Sequence, residues 1–300
     1  MYAMFERTRY DLSLPAGRSL QLGDRTLVMG ILNITPDSFS DGGRHLDPAQ
    51  AVEAGLRMVE AGADILDVGG ESTRPGADVV RADEEMRRVL PVIEELAART
   101  DALISIDTYK ASVARAAVTR GAMIINDVSG LLYDPEVASV AAETGVPLIL
   151  MHTRGRSREM YDLAVYDDVV REVGSELEAA IDRAVQRGVK RDALILDPGF
   201  GFAKRAGHSY TLLAKLTDLA VLDRPILSGP SRKSFLREAL GDRPPLEREW
   251  GTAAAVTASV LLGAHIVRVH DVGAMVDVVR TADRIRAAAA AEAPGRDLTR

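Results

Sequence analysis

Eight short apolar runs recur along the chain, most of them closed by a polar residue, and they constrain its fold more than any other feature. The runs occupy residues 28–33, 65–68, 103–107, 123–126, 148–152, 194–197, 225–228 and 266–270. Continuous apolar, β-rich runs of this length are typical of strands that are buried on both faces, as in a parallel sheet.

Helical periodicity fills the intervals between these runs. The helical patterns cover residues 48–61, 83–98, 111–120, 135–143, 167–187, 209–219, 232–240, 248–262 and 272–288. Gly62, Gly121, Gly145 and Gly188 follow four of them as expected helix stops. Strand-then-helix units in series predict a (β/α)8 TIM barrel. A doubly wound open sheet is the alternative, and we weigh it lower because eight is the number of strands that closes a barrel.

The length of 300 residues allows one or two domains. Because no shift in composition marks a second domain, we predict one barrel over residues 27–288. Residues 1–26 form an N-terminal extension, and the alternation in 10–22 around a Pro-Ala-Gly turn predicts a hairpin that closes the bottom of the barrel. Residues 289–300 are expected to be a flexible tail.

Composition excludes several classes of protein. Hydrophobic residues make up 47% of the chain and charged residues 27%, but no apolar run reaches the ~18–20 residues that span a bilayer. The start of the chain lacks the apolar region of a signal peptide. There is no cysteine, which excludes disulfides, thiolate zinc sites and a cysteine nucleophile. The net charge of −7 argues against nucleic-acid binding. We therefore expect a cytoplasmic enzyme with no membrane or nucleic-acid partner.

Polar side chains close or follow most of the predicted strands, at the end where barrel enzymes place their active sites. They are Asn33, Asp67, Asp107, Asn126, His152, Asp197, Ser228, Arg268 and His270. Any one of them can be a turn or cap residue, and Asp197-Pro198-Gly199 suits a turn. A whole ring of such residues instead indicates a binding site, because a buried carboxylate must be paired or hydrogen-bonded.

The residue types in this ring indicate the ligand chemistry. Asp107, Asn126 and Asp197 suit a flat heterocycle that presents an N–H and an exocyclic amine, as a guanidine does. Arg268 and His270 suit an anion. The cations Arg232 and Lys233 follow Ser231, a possible N-cap, where they oppose the helix dipole. They therefore point to a ligand, although a solvated surface pair is the alternative.

Two loops at the same end are rich in Gly, Pro and hydroxyl residues. They span residues 33–43 and 69–77, and both are longer than a minimal strand-to-helix turn. We interpret them as mobile lids that exclude water, with Phe39 and Arg74 at their tips. Ordinary surface loops are the alternative.

Eight sequence blocks, in order, resemble those of the dihydropteroate synthase family. They are MGILNITPDSFSDGG (29–43), DVGGESTRPG (67–76), SIDTYKASVARAA (105–117), INDVSG (125–130), LMH (150–152), DPGFGFAK (197–204), SRKSFL (231–236) and RVHDV (268–272). Each block alone is only suggestive, but eight in register over residues 27–285 are highly specific. The resemblance implies a (β/α)8 barrel that joins 6-hydroxymethyl-7,8-dihydropterin pyrophosphate to 4-aminobenzoate and releases pyrophosphate in folate biosynthesis.

The family's residue roles carry over position by position as expectations. The resemblance places the pterin on Asp107, Asn126, Asp197 and Lys233, with Met151 as an apolar floor. It places the pyrophosphate on Asn33, Arg268 and His270 with Mg2+, and Asn33 is the expected protein contact to the metal. It places the aminobenzoate between Thr73, Arg74 and Pro75 on one side and Phe202, Lys233 and Ser234 on the other. Asp37 and Phe39 are expected to complete the closed site, with Asp107, Lys233, Arg268, His270 and Asp37 as the catalytic set.

The resemblance further implies an SN1-like displacement of pyrophosphate, competition of sulfonamides with aminobenzoate, and a homodimer. The Ala/Val-rich pattern of residues 248–262 is a candidate dimer interface. A folate-binding methyltransferase barrel and a non-catalytic pterin-binding paralogue are the competing functions. The two lid sequences favour the synthase over the methyltransferase, because a methyltransferase has no need of them.

One segment departs from the family pattern. Residues 153–161 replace the usual Met-Gln-Gly sequence and carry Arg154, Arg156 and Arg158. These arginines either solvate the surface or add positive potential for an anionic substrate. His45, His208 and His265 are expected to be structural, and no histidine pair has the spacing of a zinc site. For His152, a role in the site and a satisfied strand-end position remain open.

Overall fold

The computed structural model describes residues 7–35, 47–72, 78–156 and 158–291. Ten strands lie within these ranges: β1 (Tyr10–Ser13), β2 (Ser19–Leu22), β3 (Leu27–Asn33), β4 (Ile65–Gly69), β5 (Leu103–Asp107), β6 (Ile124–Asp127), β7 (Leu148–Met151), β8 (Leu194–Asp197), β9 (Leu227–Ser228) and β10 (Ile266–Val269). Strands β3 to β10 form one parallel sheet in the order β8-β7-β6-β5-β4-β3-β10-β9. A bridge between Leu196 and Ile226 joins its two ends. The sheet is therefore a closed barrel, which confirms the predicted fold over the open sheet.

Helices follow the barrel strands on the outside. They are α1 (Pro48–Glu60), α2 (Ala82–Arg99), α3 (Ala111–Thr119), α4 (Glu136–Thr144), α5 (Val169–Gln186), α6 (Ala206–Ala214), α7 (Arg237–Leu240), α8 (Glu249–Leu261) and α9 (Val272–Ala291). Asp47 and Asp168 cap α1 and α5 by accepting backbone N–H groups of the first turn. Gly145 ends α4 in the left-handed conformation at φ 71°, which is the role predicted for it.

Two apolar clusters hold the barrel together. The larger one lies between the sheet and the helices and includes Val68, Ile106, Leu150 and Leu177. The second cluster fills the barrel's lower interior, where leucines of the β1–β2 hairpin pack with two residues of β3 and one from each of the other barrel strands. The hairpin residues in it are Leu12, Leu20 and Leu22 of the two strands and Leu14 of the turn between them. The hairpin thus closes the bottom of the barrel, as the sequence predicted.

The structure corrects three boundaries. The helix predicted over 232–240 is instead a short 3-10 turn at Ser234–Leu236 followed by α7, because Arg232 lies in the left-handed region at φ 59° and interrupts helical geometry. The helix predicted over 209–219 divides into α6 and a 3-10 segment, Leu216–Leu222. Helix α9 continues to Ala291, three residues past the predicted end of the barrel. Within the described ranges, no helix is long and apolar enough to cross a membrane.

Candidate active site

Four polar side chains from four strands meet at the carboxyl end of the barrel. Arg268 on β10 donates from Nε to Asp67 Oδ2 at 2.6 Å and from Nη2 to Asp107 Oδ2 at 2.7 Å. Asn126 on β6 donates from Nδ2 to the same Asp67 oxygen at 2.9 Å. Both carboxylates and the amide are buried. One guanidinium therefore holds two buried carboxylates in a fixed geometry, which bidentate arginine contacts favour.

This cluster also contains acceptors that a ligand can use. Burial raises the pKa of Asp107 to about 7, even though the charge of Arg268 opposes that rise. Among the described residues, neither Asp67 Oδ1 nor Asn126 Oδ1 has a hydrogen-bond partner. Buried acceptors without partners are costly, so this end of the barrel is suited to a ligand that donates hydrogen bonds.

Asp67 is a functional candidate that the sequence analysis placed in the ring without giving it a role. It lies inside β4, two residues before the strand ends, and it is fully buried. A carboxylate inside a strand buried on both faces was the available signal, because such a group needs a partner. The partner, Arg268, is 201 positions away and is brought to it only by the closure of the barrel.

Asp197 and Lys233 form the neighbouring wall. Asp197 Oδ1 accepts the Gly199 N–H at 2.7 Å, and burial raises the pKa of this carboxyl group. Lys233 Nζ lies 3.9 Å from the centroid of the Phe202 ring, and burial, followed by the charge of Arg268, lowers the pKa of this amine to about 8. Met151 lies buried beside Asp197 in the strand register. The cation thus lies over the Phe202 ring and close enough to Asp197 for its charge to act on that carboxyl group.

Asn33 ends β3, and His270 follows the neighbouring strand β10. Asn33 lies next to Gly69, where a Cβ would come 3.4 Å from Asp107 and 3.6 Å from Asn33 Oδ1. The side chains of Asn33 and Asp107 thus both border Gly69. Ser231 Oγ accepts the backbone N–H of His270 at 3.2 Å and lies 3.0 Å from its Nδ1. Ser231 Oγ thus contacts both the backbone and the ring of His270 and holds the imidazole in place.

Ser231 is accordingly a partner of His270 and not the helix cap that the sequence suggested. The predicted residues Asp107, Asn126, Met151, Asp197 and Arg268 lie at the carboxyl ends of the barrel strands, and Phe202 and Lys233 lie in the loops that follow β8 and β9. Ser234 is exposed at the start of its 3-10 turn. Asp37, Phe39, Thr73, Arg74 and Pro75 lie outside the described residues. The individual roles assigned to all of these residues remain predictions.

A second polar network lies behind Asp197, and sequence reasoning missed it. His152 Nδ1 is 2.8 Å from Lys204 Nζ, and His152 Nε2 is 3.0 Å from Glu176 Oε2. Burial, with the charge of Lys204, lowers the pKa of His152 to about 4, so this ring is neutral at pH 7. His152 is therefore a satisfied strand-end histidine, one of the two interpretations that the sequence left open.

The three arginines of the divergent segment all have partners. Arg154 pairs with Glu172 and Glu176, Arg156 stacks 4.3 Å from the Tyr133 ring centroid, and Arg158 pairs with Asp78. Within the described ranges, no group of three or more His, Asp or Glu side chains is placed to hold a metal ion.

Comparison with known proteins identifies the family. The sequence profile described as pterin binding enzyme matches residues 29–270. The dihydropteroate synthase of Synechocystis sp. is 47% identical over 273 residues, which cover 91% of this chain and 94% of that protein.

Solved structures agree. A dihydropteroate synthase from Xanthomonas albilineans, solved with 4-aminobenzoic acid, superimposes with a TM-score of 0.86 at 47% identity, covering 93% of this chain and 99% of that one. The Yersinia pestis dihydropteroate synthase, solved with a sulfonamide drug, gives a TM-score of 0.85 at 42% identity, with coverage of 92% and 99%. This chain is a transferase that belongs to the dihydropteroate synthase family of pterin-binding enzymes.

Proposed function

We propose that the cluster at the carboxyl end of the barrel binds 6-hydroxymethyl-7,8-dihydropterin pyrophosphate and directs its SN1-like condensation with 4-aminobenzoate. The observation that carries this proposal is the set of buried acceptors around one arginine, Asp67, Asp107 and Asn126. A pterin presents ring N–H and exocyclic amine donors along one edge, and this edge complements carboxylate and amide oxygens. Asp197, on the adjoining wall, extends the same set of acceptors.

The difficult step of this reaction is the departure of pyrophosphate, because the aniline nitrogen of aminobenzoate is already nucleophilic. The C–O bond between the pterin methylene carbon and pyrophosphate breaks, and pyrophosphate leaves with the electron pair. The aniline nitrogen of aminobenzoate then forms the C–N bond and loses one proton to solvent. Carboxylates close to the pterin, Asp107 among them, stabilise the positive charge that develops as the C–O bond breaks. Fixed charges of this kind lower a barrier because they do not have to reorganise.

Arg268, His270 and Lys233 are the expected contacts of the departing pyrophosphate. Arg268 uses Nε and Nη2 for the two carboxylates, so its third guanidinium nitrogen, Nη1, is directed elsewhere. His270 adds an imidazole, held by Ser231 Oγ, and Lys233 adds a cation. We expect these three side chains to surround the leaving oxygen, where negative charge appears.

We propose that Mg2+ accompanies the pyrophosphate, with the Asn33 side-chain oxygen as its protein contact. Mg2+ in such sites keeps several waters and takes one or two protein oxygens besides the substrate phosphates. The described residues fit this mode, because Asn33 supplies one side-chain oxygen close to Asp107, where both border Gly69. When bound, the ion neutralises charge on the pyrophosphate oxygens.

Sulfonamides are expected to inhibit the enzyme by competing with 4-aminobenzoate. Both molecules are flat anilines, and the wall formed by Phe202 and Lys233 suits an aromatic ring beside an acidic group. Initial rates at several concentrations of each substrate test this. The inhibition should be overcome by raising aminobenzoate and not by raising the pterin substrate. If raising the pterin substrate alone relieved the inhibition, the assignment of separate pterin and aminobenzoate sites would be wrong.

We also propose a homodimer that packs through α8. Trp250 on this helix is 79% exposed, and the nearby Leu246 is 73% exposed. Exposed large apolar side chains that lie together are typical of interfaces. Sedimentation should show a dimer that Trp250→Asp converts to a monomer, whereas Val221→Asp, at an 83% exposed site on another segment, should leave the dimer intact. A monomeric native chain at micromolar concentration would contradict this proposal.

The cytoplasmic location stays a prediction that cell fractionation tests.

A further inference from the structure

Lys204 is a buried lysine that the proposed chemistry does not use. Its side chain is 2% exposed, and its ammonium group contacts His152 Nδ1 at 2.8 Å, Gly199 O at 3.1 Å and Phe202 O at 3.0 Å. His152 O lies at 3.5 Å as a longer fourth acceptor, so all three N–H donors of the ammonium have acceptors within the protein. Two of the acceptors belong to the turn that leads from Asp197 to Phe202.

This turn is held in an unfavourable backbone conformation. Gly199 and Gly201 have φ angles of 68° and 78°, and Ala203, which has a Cβ, has a φ angle of 48°. A left-handed conformation is unfavourable for alanine, and it persists only where surrounding contacts hold it. The turn also passes very close to strand β7: a Cβ at Gly199 would meet His152 O at 2.1 Å. Tyr166 adds a hydrogen bond to Ala203 O at 3.0 Å.

The tautomer of His152 allows its ring to accept a hydrogen bond from Lys204. Nδ1 accepts from the ammonium only if the ring proton is on Nε2, and Glu176 Oε2 lies 3.0 Å from Nε2 to receive it. Burial of Glu176 opposes its ionisation, but hydrogen bonds from His152 and Arg154 outweigh burial and lower its pKa to about 2. Glu176 is therefore a permanent carboxylate that fixes the histidine's tautomer.

The Asp197 end of the turn is anchored by other contacts. Asp197 pairs with Met151 in the sheet register, its carbonyl accepts the His152 N–H at 2.8 Å, and its Oδ1 accepts the Gly199 N–H at 2.7 Å. None of these bonds involves the Lys204 side chain. Loss of the ammonium should therefore release the Phe202 end of the turn more than the Asp197 end.

We propose that Lys204, held by His152 and Glu176, is a positioning residue that fixes the Phe202 end of the turn and thereby sets the affinity for aminobenzoate. This proposal rests on the proposed function in assigning Phe202 to the aminobenzoate side. It does not make Lys204 a catalytic residue, because its three donors are all directed to the protein.

The first test is Lys204→Met, which keeps the length of the side chain and removes its donors. We expect the KM for aminobenzoate to rise about 10-fold or more, because the charge-assisted hydrogen bonds that hold the Phe202 end of the turn are lost. The Kd for pterin pyrophosphate should change less than about 3-fold, because the Asp197 end of the turn keeps its contacts. Hydrogen exchange at the Phe202 amide, which donates to Gly199 O at 3.1 Å, should speed up about 10-fold. Phe202→Ala provides the reference for a lost aminobenzoate contact.

A second test does not depend on Lys204→Met being folded. Glu176→Ala should raise the KM for aminobenzoate about 3-fold, because the ring proton of His152 is then no longer fixed on Nε2. Glu176→Gln keeps an acceptor for this proton and should bring the KM most of the way back to the native value. Glu178 is the matched control: it lies on the same helix, its side chain is 41% exposed against 40% for Glu176, and it also pairs with an arginine. Glu178→Ala should change nothing.

The outcomes separate this proposal from the proposed function. An unchanged KM and unchanged Phe202 exchange in Lys204→Met, beside a raised KM in Phe202→Ala, overturn the role of Lys204 and leave the function standing. Equal rises in KM and in pterin Kd also overturn it, since they show a general structural loss. If Lys204→Met does not fold, equal effects of Glu176→Ala and Glu178→Ala overturn it. If Phe202→Ala leaves the KM unchanged, the assignment of Phe202 fails, and the inference about aminobenzoate fails with it.

Discussion

Replacing Asp197 by alanine is expected to abolish measurable binding of pterin pyrophosphate. The buried carboxylate offers charged acceptors at the bottom of the site, and hydrogen bonds to charged groups contribute about 1.5–3 kcal/mol each. Losing two of them predicts a rise of about 100-fold or more in Kd, which calorimetric titration without aminobenzoate measures directly.

Two variants make the result specific. Asp197→Asn keeps an acceptor for the Gly199 N–H, so the turn should stay intact while binding weakens less than in the alanine variant. Phe202→Ala should leave the pterin Kd within about 3-fold of the native value, because its ring lies under Lys233 and not among the acceptors. A native pterin affinity in Asp197→Ala would show that the pocket is assigned to the wrong residues.

Removing the guanidinium of Arg268 should damage both stability and turnover. In Arg268→Met, the two buried carboxylates lose their shared partner, and breaking a buried ion pair from one side costs about 3–5 kcal/mol. Loss of a preorganised charge at the leaving group should also lower kcat about 100-fold to 1000-fold. Denaturant unfolding and initial rates measure the two effects separately.

The surface provides a matched control for that experiment. Arg99 also contacts two carboxylates, Glu53 and Glu95, but it is 41% exposed, so Arg99→Met should cost at most about 1 kcal/mol. Adding Asp67→Asn to Arg268→Met removes one of the stranded charges and should restore part of the stability without restoring turnover. If Arg268→Met were no less stable than Arg99→Met, the buried ion pairs of Arg268 would not contribute the stability predicted for them.

The barrel could be predicted from the sequence because each strand carries its own signal. The runs at Leu103–Asp107 and Leu194–Asp197 match their predicted bounds, since apolar side chains extend to the polar residue that ends each strand. The segment after β9 was mispredicted because the conformation of Arg232 depends on distant contacts. Its N–H donates to Thr252 Oγ1 at 3.0 Å, and its carbonyl accepts from Arg248. No local pattern encodes these bonds.

The site was only partly predictable, for the same reason. The ring of strand-end residues identified Asp107, Asn126, Asp197 and Arg268, because a parallel barrel brings all strand ends together. The pairing of Arg268 with Asp67 depends on the register between strands. The contact of Lys204 with His152 joins two loops 52 positions apart. Lys233 and Arg268 remain the described cations at which we expect this net −7 protein to bind a pyrophosphate ester, and Arg268 is held there by Asp67 and Asp107.

Release of pyrophosphate by the purified protein tests the central claim most directly. With pterin pyrophosphate, 4-aminobenzoate and Mg2+ present, we expect pyrophosphate and dihydropteroate to appear in equal amounts, at a rate that falls to background when aminobenzoate is omitted. Arg268→Met should show the same dependence at a much lower rate. A folded native protein that binds the pterin substrate and releases no pyrophosphate above background would contradict the account and identify a non-catalytic pterin-binding protein.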